Sequence, residues 1–291
     1  MSIPPARAGV VTVVASQQVL GFSSVTGAWV AHAAGGLTHN DIVAARGDVA
    51  IVTVKASQQV LGFSAVTGAW SSHAAGGVTN FDLVAVGGNV GIVSVAASQQ
   101  VLAFRASTGT WVAHAAGGVT NSDKVASRGS VGIVAVKASQ QVLGFSANTG
   151  AWSAHAAGGV NITDQVAAGS NVGAVSVAAS QQVLGFRAST GSWVAHAAGG
   201  VTAADHLVSD GDVAILAVKA SQQVLGFSAV TGAWTTHAAG GVSNSDHVVA
   251  AEDMGLVGVA ASQQVLAYVA ANGAWISHAA GGLTFADLFE V

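Results

Sequence analysis

Side-chain amides, imidazoles and glycines recur along this chain at a spacing that no local secondary structure requires. The stretch ASQQVLGFSSVTGAWVAHAAGG, from Ala15 to Gly36, returns nearly unchanged from Ala56, Ala97, Ala138, Ala179, Ala220 and Ala261, 41 residues further on each time. Each copy carries a glutamine pair, a histidine and a diglycine. A glutamine amide donates and accepts hydrogen bonds at once, which suits neighbouring hydroxyl groups, and glycine lets backbone approach a ligand closely. The expected ligand-binding set in the first copy is Gln17, Gln18, His32, Gly35 and Gly36. Its counterparts are Gln58, Gln59 and His73, then Gln99, Gln100 and His114, then Gln140, Gln141 and His155. Gln181, Gln182 and His196, Gln222, Gln223 and His237, and Gln263, Gln264 and His278 complete it. A second role is open to the same residues. The glutamines can satisfy backbone groups, His32 can hydrogen-bond Asp41 nine residues on, and Gly35-Gly36 can supply positive φ in a connection.

Other chemistries fit less well. One histidine and one carboxylate per repeat are too few ligands for a tetrahedral zinc site, and no cofactor motif is present. Catalysis needs an asymmetric constellation of nucleophile, base and orienting group, and none stands outside the repeat, so the chain reads as a non-enzyme. Arg46-Gly47-Asp48 spells an adhesion tripeptide but occurs once, in a turn that varies between copies. Net charge is −4 and the nine Lys and Arg residues are scattered, which argues against nucleic acid. The 291 residues contain no cysteine, so a hydrophobic core must hold the fold. Apolar runs are short, which argues against membrane insertion. The N-terminus shows no basic start followed by a long apolar stretch, which makes a cytoplasmic location the default expectation, with unconventional release as the alternative.

These residues need elements to hold them. Between the invariant stretches lie short, Val-rich, Gly-interrupted segments such as DLVAVGG and NVGIVSVA, which read as strands joined by tight turns. Four strands per period follow: A from Asp41, B from Val49, C from Gln58 and D from Ala69. A four-stranded antiparallel meander is one propeller blade, and a period in this range signals propellers or solenoids. The fold class expected is therefore all-β, a single domain spanning residues 1–291 as a seven-bladed β-propeller. The chain starts inside a repeat, with GVVTVV at Gly9, and stops after ADLFEV at Ala286, so N- and C-terminal strands are expected to share one blade and close the ring. In such a meander the B–C and D–A connections emerge on one face, where the invariant Ser-Gln-Gln and His-Ala-Ala-Gly-Gly residues should gather, while the variable A–B turns lie on the other.

One aromatic pattern points to a family. Phe22/Trp29, Phe63/Trp70, Phe104/Trp111, Phe145/Trp152, Phe186/Trp193, Phe227/Trp234 and Tyr268/Trp275 share an aromatic-x6-Trp spacing. It resembles the Tyr-x6-Trp signature of kelch-type blades, although Ala15-Ser16 stands where kelch blades carry a diglycine. The resemblance implies a propeller whose aromatic rings pack between blades. In blade count and site repetition the chain also looks like the seven-bladed propeller lectins. A two-repeat rhythm runs beneath the main one, with Lys55, Lys137 and Lys219 in even copies and Arg105 and Arg187 in odd ones, where Ser23 and Val269 break it. Identical sites on a rigid ring gain avidity against a repeating ligand. The expected function is multivalent glycan binding, with a protein-interaction or structural scaffold as the alternative.

Overall fold

The structure is a computed structural model and describes residues 6–284 together with 286 and 287. Its 27 strands, β1 to β27, assort into consecutive antiparallel meanders. The second sheet illustrates the unit: β4 (Val43–Arg46), β5 (Val49–Val54), β6 (Gln59–Ser64) and β7 (Ala69–Ala74) pair in that order. Sheets three to seven repeat it as β8–β11, β12–β15, β16–β19, β20–β23 and β24–β27. The first sheet, β1 (Ala8–Val13), β2 (Gln18–Ser23) and β3 (Ala28–Ala33), has three strands among the described residues. The strand expected from Ala286 lies outside the described residues apart from Ala286 and Asp287.

Sequence composition sets the position of each strand. The second strand of sheets two to six, such as Val-Ala-Ile-Val-Thr-Val at β5, is buried along its whole length, and runs of β-branched residues suit a strand covered on both faces. The last strand, with its Ala, Ser and His, is the most exposed in sheets three to six. First strands of successive sheets adjoin one another around an axis, and last strands form the rim. This is a seven-bladed β-propeller, all-β, with antiparallel blades.

The core sits between the blades. Val90, Ile92, Val101 and Ala103 of the third sheet pack on Val134, Val136, Leu143 and Phe145 of the fourth, and equivalent clusters fill the other described junctions. Phe63, Phe104, Phe145, Phe186, Phe227 and Tyr268 have no exposed surface. Each sits over a small residue of the preceding sheet; a Cβ on Gly62, for example, would lie 2.5 Å from the ring of Phe104. Backbone also crosses each junction, as where Asp48 N donates to Gly88 O at 2.8 Å and Asn89 N to Gly129 O at 2.7 Å.

Candidate functional site

The first glutamine of each pair occupies the turn between the second and third strands in a left-handed conformation, with φ between 54° and 56° in all seven copies. L-residues adopt that region at a cost, so something must compensate. In the first copy the amide does so: Gln17 Nε2 donates to Val14 O at 2.6 Å and Leu37 O at 3.1 Å, while Oε1 accepts from Leu37 N at 2.6 Å. Gln99 likewise donates to Val119 O at 3.0 Å and accepts from Val119 N at 2.8 Å. Gln58, Gln140, Gln181, Gln222 and Gln263 make the same pair of donations. Both amide hydrogens are committed to backbone, so these side chains staple the B–C turn to the D–A connection.

The diglycines are also built into that connection. Gly35 and Gly36 have φ of 48° and 83°, and a Cβ on Gly36 would overlap the Ala56 methyl of the next sheet. The expected histidine–aspartate bond is not what the structure contains. Asp41 Oδ2 accepts from Thr38 N at 2.7 Å and Oδ1 from Lys55 N at 3.0 Å, and the aspartates at Asp82, Asp123, Asp164, Asp205 and Asp246 repeat both bonds. Two backbone donors on adjacent segments hold each carboxylate in place of an imidazole. The signal was present in sequence, since Thr38, Thr79, Thr120 and Thr202 precede an aspartate by three residues, the spacing of a side-chain-capped turn.

The histidines lie elsewhere, on the rim strand. His32 pairs with Val19 across the sheet, and its ring faces the indole of Trp70 in the next sheet at 6.2 Å between centroids. His73–Trp111, His114–Trp152, His196–Trp234 and His237–Trp275 repeat this at 6.1–6.4 Å. Each of these tryptophans is half-buried, packed at a tilt against its own blade's Phe or Tyr, and anchored by Nε1 to the preceding sheet, as in Trp70 to Val30 O at 2.9 Å. Each of these indoles keeps part of its surface exposed at the rim. Cross-strand partners share a face of a sheet, so Gln59, opposite Ala74, lies on the same side of its blade as Phe63 and Trp70. The structure thus brings one histidine and one tryptophan together at five junctions, with the second glutamine on the tryptophan's side of the blade. From sequence these tryptophans read as rings packed between blades, which counts against a sugar site unless the fourth-strand tryptophan is partly open at the outer edge, and partial exposure is what the structure shows.

The axis departs from the repeat. The first-strand residues Lys124, Gln165, His206 and His247 replace Ile42 and Leu83, and a cavity of about 540 Å³ is lined by Lys124, Gln165, Leu83 and Leu207 among others. Two of the polar side chains are engaged with the neighbouring blade: Gln165 Nε2 with Ala203 O at 3.0 Å, and His206 Nε2 with Asn244 O at 2.8 Å. Among the described residues no three His, Cys, Asp or Glu side chains cluster as a metal site would require. No helix is long and apolar enough to cross a membrane.

No protein-family model matches the chain, and no curated protein does. Solved structures do share its outline. A protein of unknown function from Desulfotomaculum acetoxidans aligns over 94% of this chain and 96% of its own, at 11% identity and a TM-score of 0.40. AztD from Citrobacter koseri aligns over 94% and 86%, at 10% identity and a TM-score of 0.39. BamB from Moraxella catarrhalis aligns over 93% and 78%, at 15% identity and a TM-score of 0.32.

Proposed function

We propose that this propeller is a multivalent carbohydrate-binding protein whose recurring site is the rim groove between neighbouring blades. The observation that carries this reading is the half-open indole facing an imidazole at five junctions, with a glutamine amide on the same side of the blade. An indole face takes the C–H face of a pyranose, and the imidazole and amide supply directional hydrogen bonds to its hydroxyls. Gln59, Gln100, Gln141, Gln182, Gln223 and Gln264 have no side-chain hydrogen bond to other described residues, and Gln100 Oε1 and Gln264 Oε1 are buried without a partner. The ligand side therefore passes from the first glutamine of each pair to the second. Only part of each indole is exposed, so single-site affinity is weak and avidity for clustered glycans supplies useful binding.

A glycan array with the purified protein, followed by calorimetry with the best ligand, tests this. Replacing His73 by Ala and Gln100 by Ala together should remove one groove, lowering the stoichiometry by one site while the melting temperature stays within a few degrees. A blank array, or an unchanged stoichiometry, overturns the reading and leaves a scaffold that recruits protein.

A further inference from the structure

At the end of strand C four blades carry a serine that seals the junction with the next blade, and two carry an arginine in its place. Ser23, Ser64, Ser146 and Ser228 are buried there, and each donates its hydroxyl to a carbonyl of the following sheet, as Ser64 Oγ does to Ala106 O at 2.6 Å. Arg105 and Arg187 occupy the same slot. A guanidinium is too long for that carbonyl and passes outward. Arg105 Nη2 lies 3.5 Å from Asn148 O, and its Nε is buried with no hydrogen-bond partner. Beside it is a niche of about 380 Å³ lined by Asn89, Arg105, Ser107, Ser130 and Asn148, with Val66 and Ala147 as its apolar members.

The niche is polar, positively charged and short of an acceptor. Among the described residues the one ion pair joins Arg128 to Asp210, so Arg105 has no carboxylate. Asn89 Nδ2 and Ser130 Oγ meet at 3.4 Å on its far wall, two further groups able to donate. A buried N–H without a partner costs free energy that a ligand oxygen would recover. We propose that this niche binds a single oxyanion, a carboxylate or sulfate group, through the Arg105 guanidinium. Arginine matches such groups with two parallel N–H bonds.

The chain contains its own comparison. Arg187 Nε is equally buried and unpartnered, and Arg187 Nη2 donates to Val230 O at 2.7 Å. There, however, Asp212 stands where the first niche has Ser130, and it accepts from Asn171 Nδ2 at 2.7 Å. A resident carboxylate repels an incoming anion, so the second niche stays empty.

Arg105→Ser and Arg187→Ser both restore the residue of the sealed blades, which makes folding of the variants expected. Sodium sulfate, sodium glucuronate and glucose are titrated separately into the full chain at low ionic strength, followed by amide chemical shifts. Wild-type protein should show one saturable site, with a Kd on the order of a millimolar, for sulfate or glucuronate. The site should be lost in Arg105→Ser, kept in Arg187→Ser, and unseen with glucose. Response to glucuronate alone identifies a sugar acid as the ligand, and response to both identifies the oxyanion itself. No saturable shift in the wild type, or the same shift in Arg105→Ser, overturns the proposal. Shifts on the rim strands, which glucose and glucuronate would share, report the grooves and are set aside; only resonances beside Arg105, in the niche lined by Asn89, Ser107 and Ser130, are scored, so the glycan reading stands or falls separately.

Discussion

Tyr268 is the single exception among seven aromatic slots, the other six being phenylalanine. It is fully buried, and burial pushes its phenol above the ordinary value of 10. The Thr235 hydroxyl beside it pulls weakly the other way but donates its own hydrogen bond to Gly273 O at 2.9 Å. A pKa raised on folding means that the folded state favours the neutral phenol, while the unfolded chain begins to ionise near pH 10. Stability present below that point is lost as pH rises through and beyond 10. Tyr268→Phe, which restores the residue of the other blades, should therefore flatten the fall in melting temperature between pH 9 and 11. Coincident curves for the two proteins would show that the phenol does not titrate on unfolding. The same slot illustrates what sequence makes plain: a ring that recurs once per blade at fixed spacing is core, and the five glycines Gly21, Gly62, Gly144, Gly185 and Gly226 each lie under a ring of the next blade.

Among elements, strands B, C and D were legible from sequence, with starts at Val49, Gln59 and Ala69 against expectations of Val49, Gln58 and Ala69. The single-residue difference at Gln58 has a cause, since its φ of 56° belongs to a turn and not to a strand. The first strand starts at Val43 and not at Asp41 because the Asp41 carboxylate is engaged in the preceding turn. Which of two adjacent glutamines works for the fold could not be read from residue types, because it depends on a backbone dihedral and on a carbonyl twenty residues away. That division predicts opposite outcomes for neighbouring substitutions. Gln58→Ala strips a left-handed turn of its staple, leaving Val78 O without its donor, and should cost about 1–3 kcal/mol. Gln59→Ala has no such bond to lose and should stay within about 0.5 kcal/mol. Urea unfolding of the two variants decides it, and equal losses would mean that both amides are architecture.

At the scale of the whole ring, six junctions are made and one is unmade among the described residues. Trp29 is 56% exposed and Ile276 59%, whereas each other tryptophan is half-buried and donates to a carbonyl forty positions back. Counted around seven repeats, the acceptor matching Trp29 is Ile276 O. Gly9 presents the notch that Gly91 fills with Ile51 and Gly255 with Ile215, yet Gly9 meets no side chain of another blade. Its counterpart knob is Leu256 on the seventh sheet. By position in the repeat a donor is left for an acceptor and a hole for a knob, so the expectation from sequence that the first and seventh blades close on one another has specific partners to test. A linked partner in the same chain outcompetes one in another molecule because its effective concentration is high. Closure in solution therefore predicts that Trp29→Ala costs as much as Trp70→Ala, about 3 kcal/mol, as large-to-small changes at packed aromatics do. If the junction stays open, Trp29→Ala should be nearly neutral, within about 0.5 kcal/mol. If a second copy closes it instead, the wild-type mass measured by light scattering should rise with concentration and the Trp29→Ala protein should remain a monomer. Chemical unfolding of both variants, paired with that mass measurement, separates the three cases, and only equal losses in a concentration-independent monomer support a ring closed within one chain.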